Sequence, residues 1–415
     1  MKLNAGSLRY SLVLLAVLMS LTAACSSNEK ERQINAADSP ANTQWVGTWA
    51  TAPQLTEPRN NPPEPGLEGN TLRQVFRVSL GGDTLRMRFS NEFSESPVTL
   101  KRVALATARG ASNIDIASNA QLTFNGEPSV TIEPGRAVYS DALDFSVKAL
   151  SQLAVTIAFG QVPEGITGHP GSRTTSYILP GDQVNALSMP QAVTTDHWYL
   201  LTGLEVRAPH SAAAIAIMGD SITDGRGSGT NQQNRWPDEL ANRLQANPAT
   251  RQVAVLNQGI GGNCITRPCL GPAGLERFSR DVLGQQGVKW LIILEGINDL
   301  GGHGTTEKAE NIISVYQDMI HRAHAAGIKV YGATLTPIKG SGYESPGSLA
   351  AVETVNHWIR HSSQFDAVID FYQAVEDSQK PGHLKPEYDS GDGLHLSEAG
   401  YRAMAEAIEL SLFKR

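Results

Sequence analysis

Between residues 71 and 209 apolar and polar positions alternate in short runs. In DTLRMRFSN, Leu85, Met87 and Phe89 alternate with Thr84, Arg86 and Arg88, giving one dry and one wet face. RQVFRVSL, VTLKRVALA, QLTFNG, SVTIEPG and QLAVTIAFG repeat the pattern, separated by turn signals such as Gly81-Gly82-Asp83 and Asn125-Gly126. Many short strands with almost no helical stretch predict an all-β sandwich of the jelly-roll kind. After Ala208-Pro209 the period changes. The apolar runs AAAIAIM, QVAVLN, WLIILE, KVYGATLT and AVIDFY are separated by amphipathic stretches: RWPDELANRLQAN, GPAGLERFSRDVLGQ, TEKAENIISVYQDMIHRAHAAG and residues 349–361, with a last one over 397–413. Strands alternating with helices require βαβ crossovers, so this part predicts a three-layer α/β/α sandwich around a parallel five-stranded sheet. The chain is read as an amino-terminal β domain over 45–209 and an α/β domain over 210–415.

The α/β part is organised around AAAIAIMGDSITDG, residues 212–225. A strand buried on both faces breaks there into a glycine, an acid and a serine, which puts Ser221 at the carboxyl end of a strand, where ligands sit in such sheets. Three other segments fall at comparable places: NQGIGGN (257–263), GIND (296–299) and DGLH (392–395) before the last helix. Loops at strand ends converge, so residues far apart in sequence can share one pocket.

Taken together and in this order, the four segments resemble the four sequence blocks of the SGNH (GDSL-type) hydrolase superfamily, over about half the chain. The resemblance implies a serine esterase. It places the family's nucleophile on Ser221, its oxyanion-hole donors on Gly262 and Asn298, and its acid and base on Asp392 and His395. Gly259 and Gly261 lie beside Gly262, which is preferred for its distance from Asn257. The residues make chemical sense without the family. A serine hydroxyl needs an adjacent base to take its proton, and an imidazole base needs an acceptor on its other nitrogen to fix the tautomer. The backbone N–H groups of Ser221 and Gly262 and the Asn298 amide would serve the oxyanion formed on attack.

Other readings of these residues are blander. A serine at a strand-to-helix turn can be a helix cap. Asp220, Asp224 and Asp299 read as structural partners of the loops, and Asp389, six residues before His395, is a weaker rival to Asp392. His303, His321, His324 and His383 read as surface or helix residues. In the β domain, Trp198 and Tyr199 could line a sugar-binding face or sit in the core. The segment GHPGSRTTSY, with His169 and Arg173, could reach over a neighbouring site or simply connect strands.

A β domain opening WVGTWA, followed by GDSITDG and EGIND, resembles secreted SGNH carbohydrate acetylesterases such as acetylxylan esterases. That implies removal of acetyl or other short acyl groups from a carbohydrate. The alternatives are a general short-chain esterase, arylesterase or lipase with the same site, and a non-catalytic surface lipoprotein that binds glycan through its β domain. Gly225, Gly227 and Gly229 lack the dinucleotide spacing GxGxxG, and neither GxxxxGK, HExxH nor GxSxG around Ser221 occurs, so no metal or organic cofactor is expected.

Composition sets the outer limits. The 415 residues leave room for two or three domains, and 40% hydrophobic with 18% charged residues, 39 Gly and 22 Pro suit a turn-rich globular protein. A net charge of -7 without long Lys or Arg runs argues against nucleic acid as a partner. Oligomeric state is not legible. Lys2 and Arg9 precede an apolar stretch over 12–21, and Thr22, Ala23 and Ala24 lead to Cys25, Ser26 and Ser27. This resembles a bacterial lipoprotein signal over 1–24, too short for a membrane span, and implies export with a lipid on Cys25 as the membrane contact. Ser26 in place of Asp then favours an outer membrane; Thr22 departs from the usual aliphatic residue, and an ordinary secretory signal cleaved near Ala24 is the alternative. Residues 25–44 are polar and read as a flexible linker. Of 3 Cys, Cys264 and Cys269 remain as a possible disulfide in an oxidising compartment, with two free thiols as the alternative. No second ligand pair at matching spacing supports zinc.

Overall fold

Residues 42–414 are described by the computed structural model; the signal, Cys25 and nearly all of the proposed linker lie outside them. In the amino-terminal all-β region, the strands Gly82–Asn91, Arg136–Tyr139, Leu143–Val147 and Leu201–Pro209 belong to one sheet, in which the other three each pair antiparallel with Gly82–Asn91. A second sheet is built on Thr71–Arg77, Gln152–Phe159 and Val98–Thr107, again antiparallel. The alternation read in DTLRMRFSN is real: Leu85, Met87 and Phe89 are fully buried. Trp49, on the strand Thr43–Ala50 that completes the first sheet, packs on Phe76 of the second with ring centroids 4.5 Å apart, and edge-on against Trp198 at 5.0 Å. Trp198 and Tyr199 are both buried, and Trp198 Nε1 donates to the Val75 carbonyl at 3.0 Å. They therefore form core and not a sugar-facing platform.

The carboxyl-terminal half carries five strands in the spatial order Val253–Gly259, Ala213–Gly219, Val288–Leu294, Lys329–Ala333, Ala367–Ile369, all parallel. Every residue of Ala213–Gly219 is buried, as a central strand covered on both faces requires. Because the second strand in sequence lies on one side of the first and the third on the other, the loops leaving Gly219, Gly259 and Leu294 diverge from adjacent strand ends and leave a crevice there. The helices Trp236–Ala246 and Glu398–Glu406 cover one face; Trp236, Leu240 and Leu244 share a core cluster with Tyr401, Met404 and the strand residues Ile215 and Ile217. The final helix is shorter than its apolar period suggests. The Arg243 guanidinium takes the Ala405 and Ile408 carbonyls, so the chain leaves the α-helix after Glu406 and finishes in a 3₁₀ turn, Leu410–Phe413.

The all-β and α/β regions fall within one compact unit, residues 45–207 with 212–415. The Ser79 hydroxyl and the main chain of Val255 exchange hydrogen bonds, and Arg77 Nη2 donates to Asn242 Oδ1 at 2.7 Å.

Candidate active site

At the end of Ala213–Gly219 the chain makes one helical turn, Ser221–Asp224, and stops at Gly225. Asp220 caps this turn by accepting from the Ile222 N–H at 2.9 Å, and Gly225 leaves it in the left-handed region at φ 99°, which a residue with a Cβ seldom adopts. Ser221 sits at the first position of the turn. Its Oγ lies 2.8 Å from His395 Nε2, and His395 Nδ1 lies 2.7 Å from Asp392 Oδ2. A carboxylate only accepts, so Nδ1 carries the hydrogen and the Nε2 lone pair faces the serine hydroxyl. Ser221 and His395 are 7% and 5% exposed, enough for a small reactant to reach the hydroxyl while most water is excluded.

The loop bearing Asp392 and His395 is held by its own main chain. The N–H groups of Leu394 and His395 donate to Asp392 Oδ1, at 3.0 and 2.8 Å. Burial pushes the Asp392 carboxyl up, yet these donors and the His395 ring outweigh it and hold the group below the ordinary aspartate value. For His395, burial lowers the pKa; Asp392 opposes this, and the Arg226 and Arg173 guanidinium groups add to it, so that the imidazole lies below its usual 6.5. The Asp389 carboxylate accepts from the Gly391 and Gly393 N–H groups and shapes the loop, while the His395 ring is paired with Asp392.

Gly262 occupies the left-handed region at φ 71°, and a Cβ there would press on Leu270 at 2.7 Å. Asn298 Nδ2 donates to the Asn263 carbonyl at 2.8 Å, and its Oδ1 accepts from the Tyr343 hydroxyl at 2.7 Å. This fixes the amide and leaves one amide hydrogen for another acceptor. Among the described residues the backbone N–H groups of Ser221 and Gly262 donate to no protein acceptor. Cys264 and Cys269 are disulfide-bonded, closing the loop directly after Gly262, and the Leu270 N–H returns to the Gly262 carbonyl. Asp299 accepts from the Ile265 and Thr266 N–H groups and so joins this loop to the segment bearing Asn298.

Two residues that sequence reading did not single out tie the site together. The buried Arg277 donates to the carbonyls of Gly219 and Gln258 and to Asn263 Oδ1, and it pairs with Glu295 and Asp281. It thus connects the ends of three strands. Burial raises the Glu295 carboxyl to about 7 although Arg277 draws it down. Tyr343, on a loop with no periodic signal, is the other. The only clue to Arg277 in the sequence was a basic residue on the inner face of an otherwise amphipathic helix.

The β region also enters the site. His169 Nε2 lies 2.9 Å from Asp224 Oδ1 at the end of the Ser221–Asp224 turn, and Arg173 Nη2 lies 3.7 Å from Asp224 Oδ2. Asp220, Asp224 and Asp299 are all buried loop partners. His303, His321 and His324 are exposed and His383 is half-buried. Among the described residues no group of three or more His, Cys, Asp or Glu side chains could hold a metal ion, and no helix is long and apolar enough to cross a membrane.

The arrangement can deprotonate a hydroxyl, direct it at an electrophilic carbonyl and receive the resulting anion. Residues 217–403 match the model of the GDSL-like Lipase/Acylhydrolase family. Solved structures similar to this chain include an acetylxylan esterase from Geobacillus stearothermophilus, 22% identical over 48% of this chain and 92% of that one, TM-score 0.37. A GDSL-like lipase from Bacteroides thetaiotaomicron is 22% identical over 48% and 87%, TM-score 0.35. An α/β hydrolase from the metagenome of Lake Arreo, Spain, is 20% identical over 49% and 97%, TM-score 0.39. No curated protein matches the chain. The match to the GDSL-like lipase/acylhydrolase family thus spans the segment that carries Ser221, Gly262, Asn298, Asp392 and His395, and the activity it supports is that of a carboxylic ester hydrolase.

Proposed function

We propose that the protein hydrolyses short-chain, chiefly acetyl, esters of a carbohydrate through an acyl-Ser221 intermediate. The observation that carries the mechanism is the continuous chain from the Ser221 hydroxyl through both His395 nitrogens to Asp392. Ser221 Oγ attacks the ester carbonyl carbon while its proton passes to His395 Nε2, and Asp392 stabilises the imidazolium. The oxyanion is received by the N–H groups of Ser221 and Gly262 and by Asn298 Nδ2. The tetrahedral species collapses, the C–O bond to the alcohol breaks, and His395 returns the proton to the leaving oxygen. Water then repeats the sequence on the acyl-enzyme and releases the acid.

Acetyl and carbohydrate are supported by the resemblance of the WVGTWA, GDSITDG and EGIND order to secreted acetylesterases. The Cys264–Cys269 disulfide supports an oxidising compartment and with it export; the lipid on Cys25 rests on the resemblance of residues 1–24 to a lipoprotein signal. The test of function measures acetate release from acetylated xylan and hydrolysis of p-nitrophenyl esters of increasing chain length, with wild type and Ser221→Ala. We expect polymer deacetylation, a preference for the acetyl ester, and a fall in turnover of about 10⁴-fold or more in the variant. Activity confined to small activated esters would remove the carbohydrate from the proposal, and activity surviving in Ser221→Ala would remove the mechanism. Anchoring is tested by metabolic labelling with an alkyne fatty acid: wild type incorporates label and partitions with membranes, whereas Cys25→Ala does neither.

A further inference from the structure

The β region places one imidazole against the turn that carries the nucleophile. His169 ends the short strand Thr167–His169, is buried, and stacks on Trp198 with ring centroids 5.9 Å apart. Its Nδ1 lies 2.9 Å from the Ala52 carbonyl and its Nε2 lies 2.9 Å from Asp224 Oδ1. A carbonyl oxygen can only accept, so Nδ1 carries a hydrogen. The contact from Nε2 to Asp224 Oδ1 gives the ring a second fixed partner, on the turn that carries Ser221. Arg173 Nη2 lies 3.7 Å from the other oxygen of the same carboxylate; burial pushes that carboxyl up, but His169, Arg173 and Arg235 outweigh it and hold Asp224 below the ordinary aspartate value.

Asp224 is not a distant anchor. It is the last residue of the single turn that begins at Ser221; its N–H donates to the Asp220 carbonyl, and the next residue's N–H donates to the Ser221 carbonyl. The chain following His169 lies directly on it. A Cβ at Gly171 would collide with the Asp224 carboxylate, so only glycine allows this approach. The segment is then fastened from the α/β side: Arg235 donates to the Ser172 carbonyl, the Asn231 N–H to the Arg173 carbonyl, and Gln233 Nε2 to Thr174 Oγ1 at 2.8 Å. A turn of only four residues has little stability of its own, because forming the first helical turn is the unfavourable step of helix formation. Its orientation must come from its partners.

We infer that His169 is a positioning residue: by holding Asp224 it fixes the nucleophile turn, and with it the 2.8 Å contact from Ser221 to His395. The inference rests on Ser221 being the nucleophile. The reacting geometry tolerates little error, since a displacement of about 1 Å can cost on the order of 10²-fold in rate.

The two imidazole contacts can be separated by substitution. His169→Gln presents an amide N–H near the position of Nε2 and keeps a donor for Asp224, while His169→Asn reaches about as far as Nδ1 and keeps the Ala52 contact only. Each variant is assayed for kcat and KM on p-nitrophenyl acetate and for the rate at which a fluorophosphonate labels Ser221, both normalised to the folded fraction from near-UV circular dichroism. The expected result is a loss of about tenfold or more in kcat and in labelling rate for His169→Asn, with KM within about twofold, and recovery of most of that loss in His169→Gln. Equal rates for wild type and His169→Asn would overturn the inference. So would a Gln variant as impaired as the Asn variant, because the Asp224 contact would then not be the one that matters. Ser221→Ala, run alongside, keeps the two ideas apart: if it labels and turns over, the nucleophile is wrong, whereas a dead Ser221→Ala beside a normal His169→Asn sinks only the role of His169.

Discussion

His395 shows how one side chain's chemistry is set by groups from several parts of the chain. Burial and the two arginines lower its pKa, while Asp392 raises it. The base must be neutral to accept the Ser221 proton, so kcat/KM falls as pH drops through the His395 value, and because that value lies below 6.5 the enzyme keeps activity into weakly acidic solution. Arg226 Nη2 lies 4.0 Å from Asp392 Oδ2 on the exposed side of the pair. In Arg226→Gln a cation that disfavours the imidazolium is gone, the His395 pKa rises, and the acidic limb of the kcat/KM profile moves to higher pH. A limb that stays in place or moves down would show that Arg226 exerts no field on the base. Ser221, Asp392 and His395 could be proposed from sequence because their residue types and the three-residue spacing of DGLH are local features. Tyr343 could not, since its only signal is a hydroxyl in a loop, and its relevance lies in reaching Asn298 Oδ1.

At the scale of elements, three of the four segments are held stiff by different means. Asp220 and Gly225 bracket the nucleophile turn, Asp389 and Asp392 organise the DGLH loop through main-chain N–H groups, and a disulfide closes the loop after Gly262. Removing that disulfide in Cys264→Ser/Cys269→Ser should lower stability by about 2 kcal/mol, as expected for a short closed loop. It should lower kcat more than it raises KM, because Gly262 and Leu270 are tied across the same loop. Urea unfolding and steady-state kinetics measure the two effects, and an unchanged kcat would mean that the loop holds Gly262 without its covalent closure. The strands and most helices were legible because their apolar periods of 2 and 3.6 report the buried face directly. The early end of the last helix was not, because it is imposed by Arg243, more than 160 residues away.

For the whole molecule the consequence is that the β region is part of the site and not a separable attachment. It supplies His169 to the nucleophile turn, and Pro53 and Ser172 give carbonyls to Arg280 and Arg235. A chain starting at residue 210 loses these partners and leaves the buried Asp224 carboxylate without its imidazole. Such a chain is expected to be poorly soluble or unreactive toward a fluorophosphonate, whereas the chain from residue 42 is labelled at Ser221. Wild-type labelling of the shorter protein would show that the α/β half organises its nucleophile alone.

The sequence by itself determined the elements and the inventory of reactive groups, since periodicity and strand-end motifs are properties of neighbouring residues. That five strands alternating with helices build an open parallel sheet, and that Ser221 comes just after its first strand, needed nothing more. Only the tertiary structure decided which distant groups meet: Arg277 across three strand ends, Tyr343 on Asn298, and His169 on Asp224. It also turned Trp198 and Tyr199 inward, where residue type alone allows either direction. The physical reason is that a buried polar group must find a partner wherever the fold brings one, and local sequence spacing carries no record of contacts made between separate elements.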